Sequence, residues 1–213
     1  MKTILHLCAD TGSDSRPWRD AGYNVVLVGS DVGVENFHAP GEVYGVIANP
    51  VCTEFSTARS SGKARDPEKG MFLVNECLRI IREASPVFWV IENPAKGVLK
   101  EYLGKPTYEY EPWWYGSPWT KRTALWGVFN TPPREYYRWE DVPKLEGLYQ
   151  RPGRGKPSLA FMHKSHFHAI PEFKDLPVPE TDMEFRSLCS QKFATAFYEV
   201  NKPTPQIVSG APS

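Results

Sequence analysis

The sequence predicts an α/β protein built on one mainly parallel β-sheet with helices on both faces. Three observations predict it. Short apolar runs at 3–8, 24–28, 43–48 and 87–91 are the kind that strands buried on both faces require. The first two are joined by a small-residue turn and a helix, giving the strand–turn–helix–strand order of a nucleotide-binding unit. A length of 213 residues fits one domain, or one domain with a small appendage, and can bury a core without disulfide staples.

Taken in order, residues 3–8 form the first strand, and Ala9 to Ser15 form a turn of small and polar residues. Pro17 suits the first turn of a helix that runs to Ala21-Gly22, with Ser15 or Asp14 as its cap. Asn24 to Val28, with three valines and a leucine, is the second strand. The turn at 9–15 puts backbone N–H groups at a helix N-terminus, where they can hold a carboxylate or a ribose hydroxyl. Asp31, just past the second strand, stands near where an acid binds ribose. A purely structural turn explains the same residues equally well.

The third run, 43–48, stops at Asn49-Pro50, since proline fixes φ and removes a ladder donor. Cys52 follows in a loop at the C-terminal end of a strand, where open α/β sheets place ligands and chemistry. A lone cysteine there is also compatible with a small buried hydrophobe. The polar stretch from Ser60 to Gly70 fits either a lid or an ordinary solvated loop. Pro67 to Ala84 carries Met71, Val74, Cys77, Leu78 and Ile81 on one helical face, so Cys77 belongs to the core. Pro86 ends that helix. Val87 to Ile91 is the fourth strand and leads into Glu92-Asn93-Pro94. A carboxylate at that strand end, beside the end that carries Cys52, completes a pocket; a helix cap or surface ion pair is the competing reading. Ala95 to Leu103 reads as a short helix.

Most of the 20 prolines fall after residue 105, which predicts an irregular second half. Tyr108 and Tyr110 alternate as in a strand, and Thr123 to Val128 is another. Between them, Trp113, Trp114, Tyr115 and Trp119 interleave with Lys121 and Arg122. That pattern suits stacking on bases and pairing with phosphate, or else packing under an irregular loop. Arg151 to Pro157 is a basic loop suited to phosphate. His163, His166 and His168 lack nearby cysteine or carboxylate partners at metal-ligand spacing, so no metal is expected. Residues 171–184 read as an acidic, proline-rich connection. Phe185 to Val200 includes Cys189 and then an apolar helical run, Phe193, Ala194, Ala196, Phe197 and Val200, giving a last helix at 189–200; 202–213 reads as a disordered tail.

Net charge is zero, so any nucleic-acid surface must be local. The four cysteines show no metal pairs and no disulfide pattern, which points to a reduced, cytoplasmic setting. No run reaches the length of a membrane span, and the N-terminus reads as a strand rather than a signal peptide.

In order and spacing, these motifs resemble the DNA (cytosine-5) methyltransferase family, above all its small phage-type members. The family's Pro-Pro-Cys-Gln-x-Phe-Ser is similar to Pro50-Val51-Cys52-Thr53-Glu54-Phe55-Ser56, and its Glu-Asn-Val to Glu92-Asn93-Pro94. Its Asp-Leu-Phe-x-Gly-x-Gly-Gly is similar to the stretch from His6 to Ser13, with Asp10 where the family has glycine. Its Gly-x-Pro-Gln-x-Arg-x-Arg is similar to the stretch from Gly116 to Thr123, with Lys121 on the central arginine. The last helix resembles the family's closing motif.

The resemblance implies a Rossmann-like class I methyltransferase fold. Residues 1–128 and 185–201 would form the catalytic core, and 129–184 an irregular insert serving as a very reduced target-recognition region. It implies methyl transfer from S-adenosylmethionine to cytosine C5 through a covalent adduct at Cys52, assisted by Glu92 and Lys121. Ala9, Asp10, Thr11, Gly12, Ser13, Asp31 and Pro50 would hold the cofactor. Ser56, Arg122, Arg151, Arg154 and Lys156 would contact DNA whose target cytosine is flipped out or single-stranded. The chain would be a monomer, in a host cytoplasm if phage-encoded. Two alternatives are open: the same cysteine chemistry with another donor or on nucleotide monomers, and a non-catalytic nucleic-acid-binding relative.

Overall fold

The computed structural model describes residues 1–9, 11–55 and 66–204. Its six strands are β1 (Thr3–Leu7), β2 (Asn24–Val28), β3 (Gly45–Ala48), β4 (Phe88–Pro94), β5 (Tyr108–Tyr110) and β6 (Thr123–Val128). They form a single sheet in the order β2-β1-β3-β4-β6-β5. Strands β1 to β4 pair in parallel, and β6 runs antiparallel to both of its neighbours. The four expected strands thus share one Rossmann-like sheet with their C-terminal ends on one edge. Leu7 pairs with Ala48 and Ala48 with Ile91, so the residues that follow them emerge at one level.

Helices cover both faces. The helix α1 (Arg16–Asp20) and the last helix of the chain pack Trp18, Phe193, Ala194 and Phe197 on one side, with Ile4, Ile47, Phe88 and Val90 of the strands. On the other side α2 (Pro67–Ala84) presents Val74, Cys77, Ile80, Ile81 and Ala84 to Leu5, Val46, Ala48 and Ile91. Asp66 caps α2 by accepting the Lys69 backbone N–H at 3.0 Å, and Pro67 takes the first helical position, where a missing N–H costs nothing.

Four local expectations are corrected. Ser15 precedes α1 but makes no side-chain cap, because its hydroxyl is drawn inward to His6. Strand β4 does not stop at Ile91; it continues to Pro94 because antiparallel β6 pairs with it as far as Thr123. The helix expected from Ala95 is confined to α3 (Lys100–Leu103). Before it, the Val98 N–H is committed to the Phe55 carbonyl at 3.0 Å, so this backbone braces the Cys52 loop instead of coiling. The last helix, expected over 189–200, begins at Gln191 as α5 (Gln191–Asn201), and a separate short helix, α4 (Asp182–Ser187), precedes it. Ser190 sets that start by capping α5, its hydroxyl accepting the Phe193 N–H at 3.1 Å.

The region 129–184 is irregular, a series of short 3₁₀ turns, but it is not a loose connection. Leu159, Met162, Phe167, Ile170, Phe173 and Leu176 form a separate buried cluster with Trp119, Phe185 and Leu188. The acidic segment at 171–184 therefore supplies core residues as well as charge. The possible lid residues 60–65 and the tail from 205 lie outside the described residues.

Candidate active site

The site is built where β1, β3 and β4 end. Beyond β3, Pro50 is buried, and Cys52 opens a 3₁₀ turn, Cys52–Glu54. Two contacts hold this loop. Asn93 Nδ2 donates to the Pro50 carbonyl at 2.9 Å, and the Phe55 ring is fully buried against Gly70, where an added Cβ would lie 2.6 Å from it. Glu92 occupies the neighbouring strand end at the same level as Asn49. The sheet thus brings Cys52 and Glu92 together, and the ionised Glu92 acts electrostatically on the thiol.

Burial pushes the Cys52 thiol above its ordinary value, the Glu92 charge adds to this, and Lys121 opposes it. The thiol is therefore the resting form near neutrality, and the favourable charge of Lys121 does not outweigh burial. Burial is also the largest cause of the raised Glu92 pKa, and the Asp14 charge acts in the same direction. Lys121 and hydrogen bonds from Asn49 and Thr123 pull it down. The Lys121 ammonium itself donates to the carbonyls of Ser187 and Leu188, at 2.8 and 3.0 Å. It anchors the α4–α5 junction as well as lending charge to the site.

A chemical test separates these effects. At a pH high enough to ionise Glu92, Glu92→Gln is expected to speed iodoacetamide alkylation of Cys52 several-fold, since each pKa unit is about tenfold in thiolate. Lys121→Met is expected to slow it. Peptide mass spectrometry reads both rates, and a slower reaction in Glu92→Gln would contradict the assigned signs.

The turn after β1 lies beside this pair. The Ala9 N–H donates to Val28 O at 3.1 Å, and the Thr11 hydroxyl to Ser13 Oγ at 3.3 Å. Gly12 has φ +66°, a conformation that favours glycine, and a Cβ there would come within 3.1 Å of Leu27. Ser13 is buried and clamped: its oxygen accepts the Cys189 N–H at 3.1 Å, and its carbonyl accepts from Gln191 Nε2 at 2.9 Å. Asp31 sits on an exposed turn past β2. Asp10 and Ser56 lie outside the described residues. Pro50 serves as the fixed base of the cysteine loop.

The basic residues expected on DNA are engaged individually. Arg122 pairs with Glu109 at 2.8 Å. The Arg151 guanidinium lies 4.9 Å from the Phe161 ring centre. The Lys156 ammonium sits over Trp113 and Trp139, at 4.3 and 5.2 Å. Arg154 is exposed. Trp119 and Trp126 are buried, which favours the packing reading for them; Trp113 is half-exposed. Among the described residues, no group of three or more His, Cys, Asp or Glu is arranged to hold a metal ion.

Sequence reasoning passed over several residues of the site. His6 was one more position in a strand, Asn49 a strand stop, Asp14 a helix cap. The available signal was a histidine inside an otherwise apolar strand; it is 2% exposed. Glu172 was also passed over. Its Oε2 accepts the Gln191 N–H at 2.7 Å and its Oε1 the Ser117 hydroxyl at 2.8 Å, tying the irregular region to the start of α5.

The fold and the site together define a Rossmann-like α/β protein with a cysteine and a glutamate on adjacent ends of parallel strands. No protein-family model matches the chain. Over 145 residues it is 31% identical to a protein of Frog virus 3 (isolate Goorha) named "Probable DNA (cytosine-5)-methyltransferase", covering 60% of this chain and 65% of that protein. The chain thus spans slightly less than two thirds of that relative. Among solved structures it matches an E. coli protein provisionally assigned as a DNA modification methyltransferase encoded within a prophage. The TM-score is 0.49 and the identity 17%, over 72% of this chain and 56% of that one. The resemblance carried by the motifs thus extends to a sequence similarity over 145 residues, 60% of this chain.

Proposed function

We propose that the chain is a DNA cytosine C5-methyltransferase in which Cys52 adds to cytosine C6. The observation that carries this reading is the placement of Cys52 and Glu92 on neighbouring strand ends, with Asn93 lacing the cysteine loop to the glutamate strand. Cytosine C5 is a poor nucleophile. Thiolate addition at C6 turns the ring into an enamine whose C5 can attack an electrophilic methyl. Cys52 forms and later breaks the bond to C6. Glu92, whose raised pKa keeps its proton to higher pH, holds N3 and the exocyclic amine as the thiolate adds. Lys121 stabilises both anionic forms. The C5 proton leaves to water, and the thiolate departs.

S-Adenosylmethionine, when bound, supplies the methyl group. The donor set beside β1 fits a cationic, hydroxyl-bearing molecule. Gly12 leaves the turn without a side chain, Asp31 stands past β2, and Asp14 has no ion-pair partner among the described residues. Ala9, Thr11, Gly12, Ser13 and Asp31 would hold it, together with Asp10. The base must leave the stack to reach Cys52. The insert 129–184, with Arg151, Arg154 and Lys156, would contact the surrounding DNA, as would Arg122 and Ser56.

The test is to incubate the chain with DNA and methyl-labelled S-adenosylmethionine, digest to nucleosides and weigh them. Label in 5-methyldeoxycytidine is expected. Label in N6-methyldeoxyadenosine or N4-methyldeoxycytidine would contradict the proposal.

A further inference from the structure

β1 carries His6 into the interior, where its ring is bonded at both nitrogens. Nδ1 lies 2.8 Å from the Ser15 hydroxyl, and Nε2 lies 2.8 Å from Asn49 Oδ1. Burial holds the imidazole below its ordinary pKa, so it is neutral near pH 7. Asn49 has only one workable orientation. Its Nδ2 lies 3.3 Å from Asp14 Oδ1 and 3.3 Å from Glu92 Oε2. Reversed, the amide oxygen would face two carboxylates. His6 therefore carries its proton on Nε2 and donates it to Asn49 Oδ1, while the single Ser15 hydroxyl proton is shared between Nδ1 at 2.8 Å and the Gly12 carbonyl at 3.2 Å.

We propose that Asn49 is a positioning residue for Glu92: locked by His6, its amide holds the carboxylates of Glu92 and Asp14 on one donor group, and so fixes both the place and the proton occupancy of Glu92. The proposal rests on Glu92 being the proton-holding residue of the reaction proposed above. It adds a device that joins the turn after β1 to the end of β4 through β3. One NH₂ group offers each carboxylate a single hydrogen bond and does not cancel the repulsion of the Asp14 charge, so Glu92 keeps its proton to higher pH. The titratable groups that act on Glu92 come from every element around it. They are Asp14 from the turn after β1, His6 through Asn49, Cys52 after β3, Tyr110 on β5, Lys121 before β6, and Cys189 between α4 and α5. Lys121 is the cation of this set, and Asp14 is the anion that works against it.

Two substitutions then act in opposite directions. Asp14→Asn removes a like charge while leaving an oxygen for the Asn49 N–H, so Glu92 titrates lower. Asn49→Ala removes a donor that stabilises the ionised form, so Glu92 titrates higher. A site merely loosened and opened to water would shift downward in both.

The experiment is a ¹³C NMR titration of the full chain labelled at glutamate Cδ, with the Glu92 resonance assigned by its loss in Glu92→Gln. The expected result is a midpoint lowered by about 1 unit in Asp14→Asn and raised by about the same in Asn49→Ala. Midpoints that stay put, or move the same way in both, would overturn the proposal. If Asn49→Ala does not fold, Asn49→Ser, too short to reach both carboxylates, takes its place: an unmoved or lowered midpoint overturns the proposal. The titration needs neither DNA nor cofactor. Shifts of the expected sign in a chain that leaves cytosine unmodified would sink the methyltransferase reading and leave the positioning of Glu92 standing.

Discussion

Cys52→Ser is expected to abolish methyl transfer, with kcat lowered by at least about 10⁴-fold, while the thermal unfolding midpoint stays close to that of the parent. The size follows from the chemistry: a neutral hydroxyl in a half-buried loop does not add to C6, and without that addition C5 has no electron density to offer. The unchanged stability follows from the structure. Cys52 is only partly buried and opens a short 3₁₀ turn whose anchors are Phe55 and the Asn93–Pro50 hydrogen bond. Cys8, Cys77 and Cys189 make the control. Cys77 and Cys189 are buried, and Cys8 touches Cys77 at 3.8 Å, so substitution by alanine affects packing and leaves the chemistry in place. Single-turnover transfer to DNA measures the effect, and full activity in Cys52→Ser would contradict the assignment.

Glu92→Gln carries the second largest expected effect, about 10²–10⁴-fold in kcat/KM, or roughly 3–5 kcal/mol of transition-state stabilisation. Its pH profile is more telling than its size. The reactive form needs Glu92 protonated and Cys52 ionised. Both pKa values are raised, with Glu92 the lower of the two. The parent rate therefore rises with pH up to the Glu92 midpoint, is level, and falls above the Cys52 midpoint. In Glu92→Gln no proton is lost at that position, so the low rate that remains climbs without a plateau until Cys52 is ionised. A variant that keeps the parent's plateau would show that Glu92 does not set it.

The sheet was legible because its parallel strands are buried on both faces, and such strands announce themselves as continuous apolar runs. The helix at 67–84 was legible because one face repeats at helical spacing. The extension of β4 to Pro94 was not, since it depends on a partner strand that begins at Thr123. The short helix α4 was hidden inside an acidic, proline-rich stretch; what sets the start of α5 at Gln191 is the Ser190 cap and the Cys189 N–H bound to Ser13, 176 residues away. Cys52 and Glu92 could be named as candidates because Glu92 directly follows an apolar run and Cys52 lies four residues past another. The amide that joins Asp14 to Glu92 could not. Asn49 stands 35 positions from Asp14 and 43 from both His6 and Glu92, and local pattern says nothing about pairs at such separations. The basic residues were read as DNA contacts from composition alone, and their pairing with Glu109, Phe161, Trp113 and Trp139 depends on how the irregular half folds.

The most direct test of the central claim uses DNA in which 5-fluorocytosine replaces cytosine, incubated with the chain and S-adenosylmethionine. Fluorine cannot leave as a proton does, so the thiolate that has added to C6 cannot depart. The account predicts a denaturant-stable protein–DNA complex whose crosslinked peptide, identified by mass spectrometry, contains Cys52, and no such complex with Cys52→Ser. A chain that methylates ordinary cytosine yet yields no adduct, or yields one at another residue, would contradict it.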